Sequence, residues 1–289
     1  MTVCVAALAI DSKAIVLIAD KALTYGDNFS RPAMQGESGG VEKRIEIGNT
    51  GWHVLVAGTP TFAEDVIRVA EARIAQNETI SDSYPSIMDC MKAAYQAVRE
   101  SAIVDQILRP NLLTKEDFVS RSNALLPLQD SYFLGIANNV NGFRLDCSLL
   151  VCGFDEAGEG RIFSVDEPGV VNSHELTGFH AIGSGAETAI AHLLFRAAEA
   201  EDELDLALYQ AFEAKAHAEV IQGVGAYSDE WILTSDGIID VPREIDQLLG
   251  DVYDSATQLP FKKNRAELEP KKNPPKNWED KLKDFTDSV

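Results

Sequence analysis

Basic residues are scarce in this chain. Lys and Arg number 25 against 46 Asp and Glu in 289 residues, giving a formal net charge of −21. A nucleic acid or an anionic membrane as main partner needs a basic face, which this balance argues against. Cysteine is sparse too. Cys4, Cys90, Cys147 and Cys152 sit in apolar contexts, none in a Cys-x-x-Cys pair. With no signal-peptide pattern, they read as reduced core residues of a cytoplasmic protein. No apolar run approaches the roughly 18 residues of a membrane span; Ala14–Ala19 is strand-sized. The five histidines lack ligand spacing. His217 lies on a helix face in Ala-Lys-Ala-His-Ala, and His53, His174, His180 and His192 are scattered. Neither a metal site, a cofactor nor a histidine-based triad is expected from them.

What is present is enough apolar residue, 45%, to bury a full core in one large domain or two small ones. Val3–Ile10 and Ala14–Ala19, joined by Asp11-Ser12-Lys13, predict a hairpin. Both runs are nearly continuous in apolar residues, so the sheet should be covered on both faces. A second hairpin is predicted over Val41–Ile47 and Trp52–Ala57, turning at Gly48–Gly51. Thr61-Phe62-Ala63-Glu64 has a capping-box pattern and starts a helix to about Ala75. A second helix covers about Ile87 to Leu108 and stops before Pro110. Residues 110–143 read as an irregular insertion with one short helical piece near Lys115–Val119.

Strands resume at Cys147–Phe154, Arg161–Asp166 and about Gly178–Ile182. Helices follow over about Ala186–Glu199 and Glu203–Val220, then strands over Glu230–Thr234 and Gly237–Val241. The domain is thus expected to span residues 1–249. Beyond it, 250–289 reads as a Pro- and Lys-rich tail in which eight basic residues balance eight acids, a flexible segment by composition. Strands, two helices, strands, two helices, strands suit two antiparallel sheets between two helix layers. The same order allows a doubly wound fold, but hairpins are not how parallel sheets are connected.

The chemistry-bearing feature is Met1-Thr2. A small second residue permits removal of Met1, leaving Thr2 with a free α-amine beside its hydroxyl, a nucleophile and a base in one residue. Thr2 opens directly into an apolar strand, so the terminus is expected to be held in place. Cys4 is a rival nucleophile, although it would need cleavage after Val3; a buried strand cysteine is the simpler reading.

Together with Ile15-Val16-Leu17-Ile18-Ala19-Asp20, Val41-Glu42-Lys43-Arg44-Ile45-Glu46-Ile47, Val54-Leu55-Val56-Ala57-Gly58, Leu149–Asp155, Arg161–Asp166 and Ala181-Ile182-Gly183-Ser184-Gly185, this start resembles the proteasome β-type subunits of the N-terminal-nucleophile hydrolases, bacterial proteasome-like members included. The resemblance covers roughly residues 2–245 apart from the insertion. It implies an α+β, four-layer αββα sandwich. It also implies a threonine-type peptidase or amidohydrolase, in a ring-shaped homo-oligomer, acting on peptide or protein substrates through an acyl-enzyme on Thr2. Lys43 would be the ammonium that tunes the site and Asp20 its partner, with the Gly58 N–H on the oxyanion. Ser184 would handle the proton of the α-amine, with Ser228 and Asp229 assisting. Leu23, Val41, Val56 and Pro60 would line an apolar specificity pocket. Asp20 lies 18 positions after Thr2, two more than the family's usual spacing, which preserves side-chain parity. The resemblance leaves open a regulatory ATPase partner. A catalytically silent ring subunit and a small-molecule amidase of the same fold are the alternatives. A free amine has a reference pKa near 7.7–8.0, suited to taking the hydroxyl proton directly or through water.

Overall fold

The computed structural model describes residues 2–21, 23–25, 29–31, 43–76, 83–123, 131–257 and 277–289. The opening hairpin is β1 (Val3–Ala9) and β2 (Ala14–Asp20), every residue of both buried. Ile10, Asp11 and Ser12 take left-handed φ values to turn it. A short ribbon pairs β3 (Leu23–Tyr25) with β4 (Phe29–Arg31). The second predicted hairpin is β5 (Arg44–Glu46) with β6 (His53–Gly58). Its expected start at Val41 lies outside the described residues.

Helices α1 (Pro60–Gln76) and α2 (Tyr84–Ile103) follow. Then come β7 (Cys147–Phe154), β8 (Gly160–Asp166), β9 (Val170–Ser173) and β10 (Phe179–Gly183). Helices α5 (Ala186–Arg196) and α6 (Leu204–Ala218) lead to β11 (Ser228–Thr234) and β12 (Gly237–Asp240). The strands form two five-stranded antiparallel sheets, β10-β1-β2-β11-β12 and β5-β6-β7-β8-β9.

Alternation along each strand divides the core. Cys4, Ala6 and Leu8 of β1 and Ile15 and Leu17 of β2 meet Leu55, Leu150 and Ile162 of the other sheet. Val3, Val5, Val16 and Ile18 face outward onto Ala189, Leu193, Leu208 and Ala211 of α5 and α6. On the second sheet Val54, Val56, Leu149 and Phe163 face Val66, Ala70, Met91 and Tyr95 of α1 and α2. The two sheets therefore pack on each other, with helices on both outer faces. The all-buried strands follow, since both faces are covered in turn.

Three sequence expectations are corrected. The helical run that opens with α2 does not stop before Pro110. It widens through a π turn (Val104–Leu108) and then tightens into a 3₁₀ turn (Arg109–Asn111) that contains Pro110 at an early position, where its missing N–H costs nothing. Residues 110–143 hold α3 (Lys115–Asn123) and also α4 (Ser131–Gly142). Phe133 and Ile136 of α4 are buried, Ile136 against Ile103 and Leu108, and that packing overrides a run rich in Asn and Gly. Finally, regular structure does not end at 249. Helix α7 (Arg243–Thr257) crosses that position, and α8 (Trp278–Thr286) returns. Leu248, Leu249 and Leu282 are buried in the same core as α6.

Candidate active site

Strand pairing builds the site. Val3 pairs with Gly183 and Cys4 with Ala19. One step further toward the chain start, Thr2 sits between the end of β2 and the turn after β10. On one side the Thr2 hydroxyl donates to Asp20 Oδ1. On the other, Thr2 N donates to Ser184 Oγ at 3.2 Å, and Ser184 Oγ donates back to Thr2 O at 3.3 Å. Gly183 has φ +95°, and a Cβ there would lie 2.3 Å from Thr2 O, so this close approach requires glycine.

Lys43 enters from the other sheet, just before β5. Its Nζ donates to Thr2 Oγ1 and, at 2.6 Å, to Asp20 Oδ1. Asp20 also accepts from Val3 N at 3.0 Å through Oδ1 and from Gly225 N at 2.8 Å through Oδ2. Thr2, Asp20 and Lys43 are all buried, at 4%, 1% and 8% exposure. A buried ion pair is tolerated when its remaining lone pairs are hydrogen-bonded, and both Asp20 oxygens are.

A cavity of about 390 Å³ opens over this group. Thr2, Gly183 and Ser184 line it from the first sheet, and Ala57, Gly58, Asp146, Cys147, Ser148, Asp166 and Glu167 from the second. Gly58 ends β6 at φ +94° with no room for a Cβ, which would fall 2.1 Å from Asp146 O. Threonine, ammonium, carboxylate, Gly58 and Ser184 thus meet at one place. That arrangement can deprotonate a hydroxyl beside a fixed cation and stabilise charge developing on a bound carbonyl.

The other nominated residues fall elsewhere. Asp229 pairs with Lys21. Ser228 stands opposite Asp20 in the β11–β2 ladder and is not among the residues lining the cavity. Val56 is buried in the core beneath α1 and α2 and is not among the residues lining the cavity. Pro60 is exposed at the start of α1. Val41 and the Leu23 side chain lie outside the described residues. Burial pushes the Cys4 thiol up to about 12, with Asp20 adding to the rise and Lys43 opposing it. Cys147 on the cavity wall is pushed up to about 11, again chiefly by burial. Cys4 is fully buried between the two sheets, in the place of the core strand cysteine that is the simpler reading.

The sequence reading missed the acidic wall. Asp166 closes the apolar strand β8 as Asp20 closes β2, and that shared signal could have flagged it. Asp166 Oδ2 accepts from Ser164 Oγ at 2.9 Å, and His174 Nε2 lies 3.1 Å from the same hydroxyl. With the Ser164 proton committed to Asp166, His174 Nε2–H is the donor. His174 stacks on His180 at 3.6 Å. Burial, aided by His180, pushes His174 down to about 4, so it serves as a neutral donor. Glu167 accepts from Leu145 N and lies 3.6 Å from Arg99.

No family model matches the chain, and no curated protein is significantly similar to it. Among the described residues no helix is long and apolar enough to cross a membrane.

Proposed function

We propose that this chain is an N-terminal threonine hydrolase that cleaves amide bonds, with the helix–sheet–sheet–helix layers being those of the N-terminal-nucleophile hydrolases it resembles. The observation that carries this reading is the convergence of Thr2 Oγ1, Lys43 Nζ and Asp20 Oδ1 at the floor of a cavity shared with Gly58 and Ser184. After removal of Met1, the Thr2 nitrogen that now donates to Ser184 becomes an α-amine. It takes the Thr2 hydroxyl proton as Oγ1 attacks the substrate carbonyl. Lys43 holds positive charge beside the developing anion, and the Gly58 N–H is placed for the oxyanion. The amine then protonates the leaving nitrogen, and water releases the acyl group from Thr2. Asp20 orients Lys43 and the hydroxyl.

A peptidase working inside a closed ring is the reading the resemblance favours, with a peptide as substrate. The apolar specificity pocket is set aside in part. Val56 faces the helix-side core, and the described wall carries Asp146, Asp166 and Glu167.

Intact-mass spectrometry before and after a threonine-directed epoxyketone or β-lactone tests the nucleophile, with Thr2→Ala as control. Loss of Met1 and a stoichiometric adduct absent from the variant is the expected result. Retention of Met1 in active-fold protein would overturn it and leave a silent subunit of this fold.

A further inference from the structure

A second cluster of functional groups lies on the outer helix layer, away from the Thr2 cavity. His192 on α5 and Glu213 and His217 on α6 bring their ligand-type atoms within 4.8 Å of one another. Glu213 and His217 are one helical turn apart and so share a face. His192 and His217 stack with ring centroids 4.1 Å apart, and the Tyr253 ring of α7 meets His217 edge-on. Glu213 is only 3% exposed, in a core layer made mostly of alanine and leucine.

The orientation of His192 is the telling detail. Its Nε2 lies 3.1 Å from Glu213 Oε2, yet this buried nitrogen makes no aligned hydrogen bond. Two ligands on one tetrahedral zinc, each at about 2.0–2.1 Å from the metal, sit roughly 3.3 Å apart with their lone pairs converging on the ion rather than on each other. Close but misaligned nitrogen and oxygen atoms are what such a pair presents.

We propose that His192, Glu213 and His217 form a transition-metal site that takes Zn²⁺ and ties α5 to α6. Two imidazoles and one carboxylate are a set zinc accepts, leaving a fourth position for water. Magnesium and calcium, which take all-oxygen shells, are disfavoured by the same set. Arg196 currently forks onto Glu213, with Nε and an Nη each at 2.6 Å from the carboxylate. Its side chain is 41% exposed, so the guanidinium has solvent to swing into when a metal takes its place. Zinc binding displaces the Arg196 contact and, where an imidazole carries a second proton, releases it to solvent.

The test is calorimetric titration of Zn²⁺ into untagged, chelator-stripped full-length protein. One equivalent should bind with a micromolar or tighter constant. Changes around metal ligands cost about 10–100-fold in affinity, so removing a ligand should cost roughly 100-fold or more. His192→Gln and His217→Gln should each show that loss, with folding checked by circular dichroism. Arg196→Gln, which removes the competing cation, should bind zinc as tightly or more tightly. Should either histidine variant fail to fold, the other decides, together with Co²⁺ absorption of the unsubstituted protein. An intense visible band is expected from a low-coordinate nitrogen-ligated ion, and a weak six-coordinate oxygen spectrum counts against the site. The absence of saturable binding, or binding unchanged in the histidine variants, would overturn the proposal.

Discussion

Asp20 holds the site together at the level of single atoms. Its carboxylate accepts from Thr2, Val3, Lys43 and Gly225, contacts that come from three separate stretches of chain. Asp20→Asn keeps the shape but leaves the Lys43 ammonium buried without its counter-charge. Breaking a buried pair from one side costs about 3–5 kcal/mol. Asp20→Asn is therefore expected to abolish cleavage and also to lower the unfolding midpoint in urea. Lys43→Arg is expected to abolish cleavage too, because a planar fork does not replace a compact point charge between two oxygens. Wild-type rates in Lys43→Arg would show that the ammonium is not part of the chemistry. At Gly183 the backbone decides. Alanine there meets Thr2 O at 2.3 Å in a left-handed conformation, which by itself costs about 1–3 kcal/mol. Gly183→Ala should thus retain its fold when stabilised by mild osmolyte yet fail to label at Thr2; undiminished labelling would contradict the tight seating. At this scale Thr2, Asp20, Lys43, Gly58 and Ser184 were named in the sequence chiefly through the family resemblance; Asp20 and Gly58 end strands, Ser184 sits in the turn after β10, and Thr2 and Lys43 each precede a strand. Gly225 was not, since its contribution is a backbone N–H that no residue type announces. Ser228 and Asp229 were carried over on a register that the sequence after α6 leaves ambiguous; the structure sets Ser228 opposite Asp20 and pairs Asp229 with Lys21.

Between elements, the contact of α7 with the first sheet contains a buried acid. Glu230 on β11 is 6% exposed, and its Oε1 has no hydrogen-bond partner. Burial, with Asp246 of α7 adding repulsion, pushes its carboxyl up to about 7, while Ser228 and Lys215 oppose the rise. The folded state therefore holds this proton more tightly than the unfolded chain, whose Glu titrates near 4.3. Stability from this group is fully present below about 4.3 and is lost as pH rises toward 7, after which it levels off. Glu230→Gln keeps the neutral shape at every pH. The variant should match the wild type near pH 4.5 and exceed it at pH 8, by up to about 4 kcal/mol. Urea unfolding at the two pH values measures the difference, and an equal gap at both would show that Glu230 is ionised when folded. Helix α7 itself was hard to read. Its apolar residues Leu248, Leu249 and Val252 straddle a composition change that looked like a boundary. Strand β9 escaped as well, being four residues of mostly exposed edge. Helix α4 was hidden because its stability lies in packing on Ile103 and Leu108 rather than in local propensity. The hairpins and the two helix pairs were readable because periodicity and turns agreed there.

For the whole molecule, charge bears on what the proposed active site would admit and on how the proposed ring would assemble. Asp146, Asp166 and Glu167 on the wall add to a body whose net charge is −21. Peptides bearing Asp or Glu beside the scissile bond should be cleaved more slowly than their Lys counterparts, with the gap narrowing as salt is added. A library in which acidic peptides are preferred would remove the cavity's wall from substrate contact. The same field opposes a ring. Each added copy brings like charge close, while exposed apolar residues such as Phe195, Leu176 and Val220, at 82%, 104% and 80% exposure, offer contact area that does not depend on salt. The Debye length falls from about 30 Å at 0.01 M salt to about 8 Å at 0.15 M. Repulsion between neighbours is then largely screened while apolar burial is retained. Assembly of the proposed ring should accordingly be weak at low salt and complete near 0.15 M, read as a jump in mass by sedimentation velocity across that range. A single-chain mass at every salt concentration would remove compartmentalised proteolysis and leave a small-molecule amidase as the form of the Thr2 chemistry. A ring that forms equally well at both salts would place the contacts away from the acidic surface.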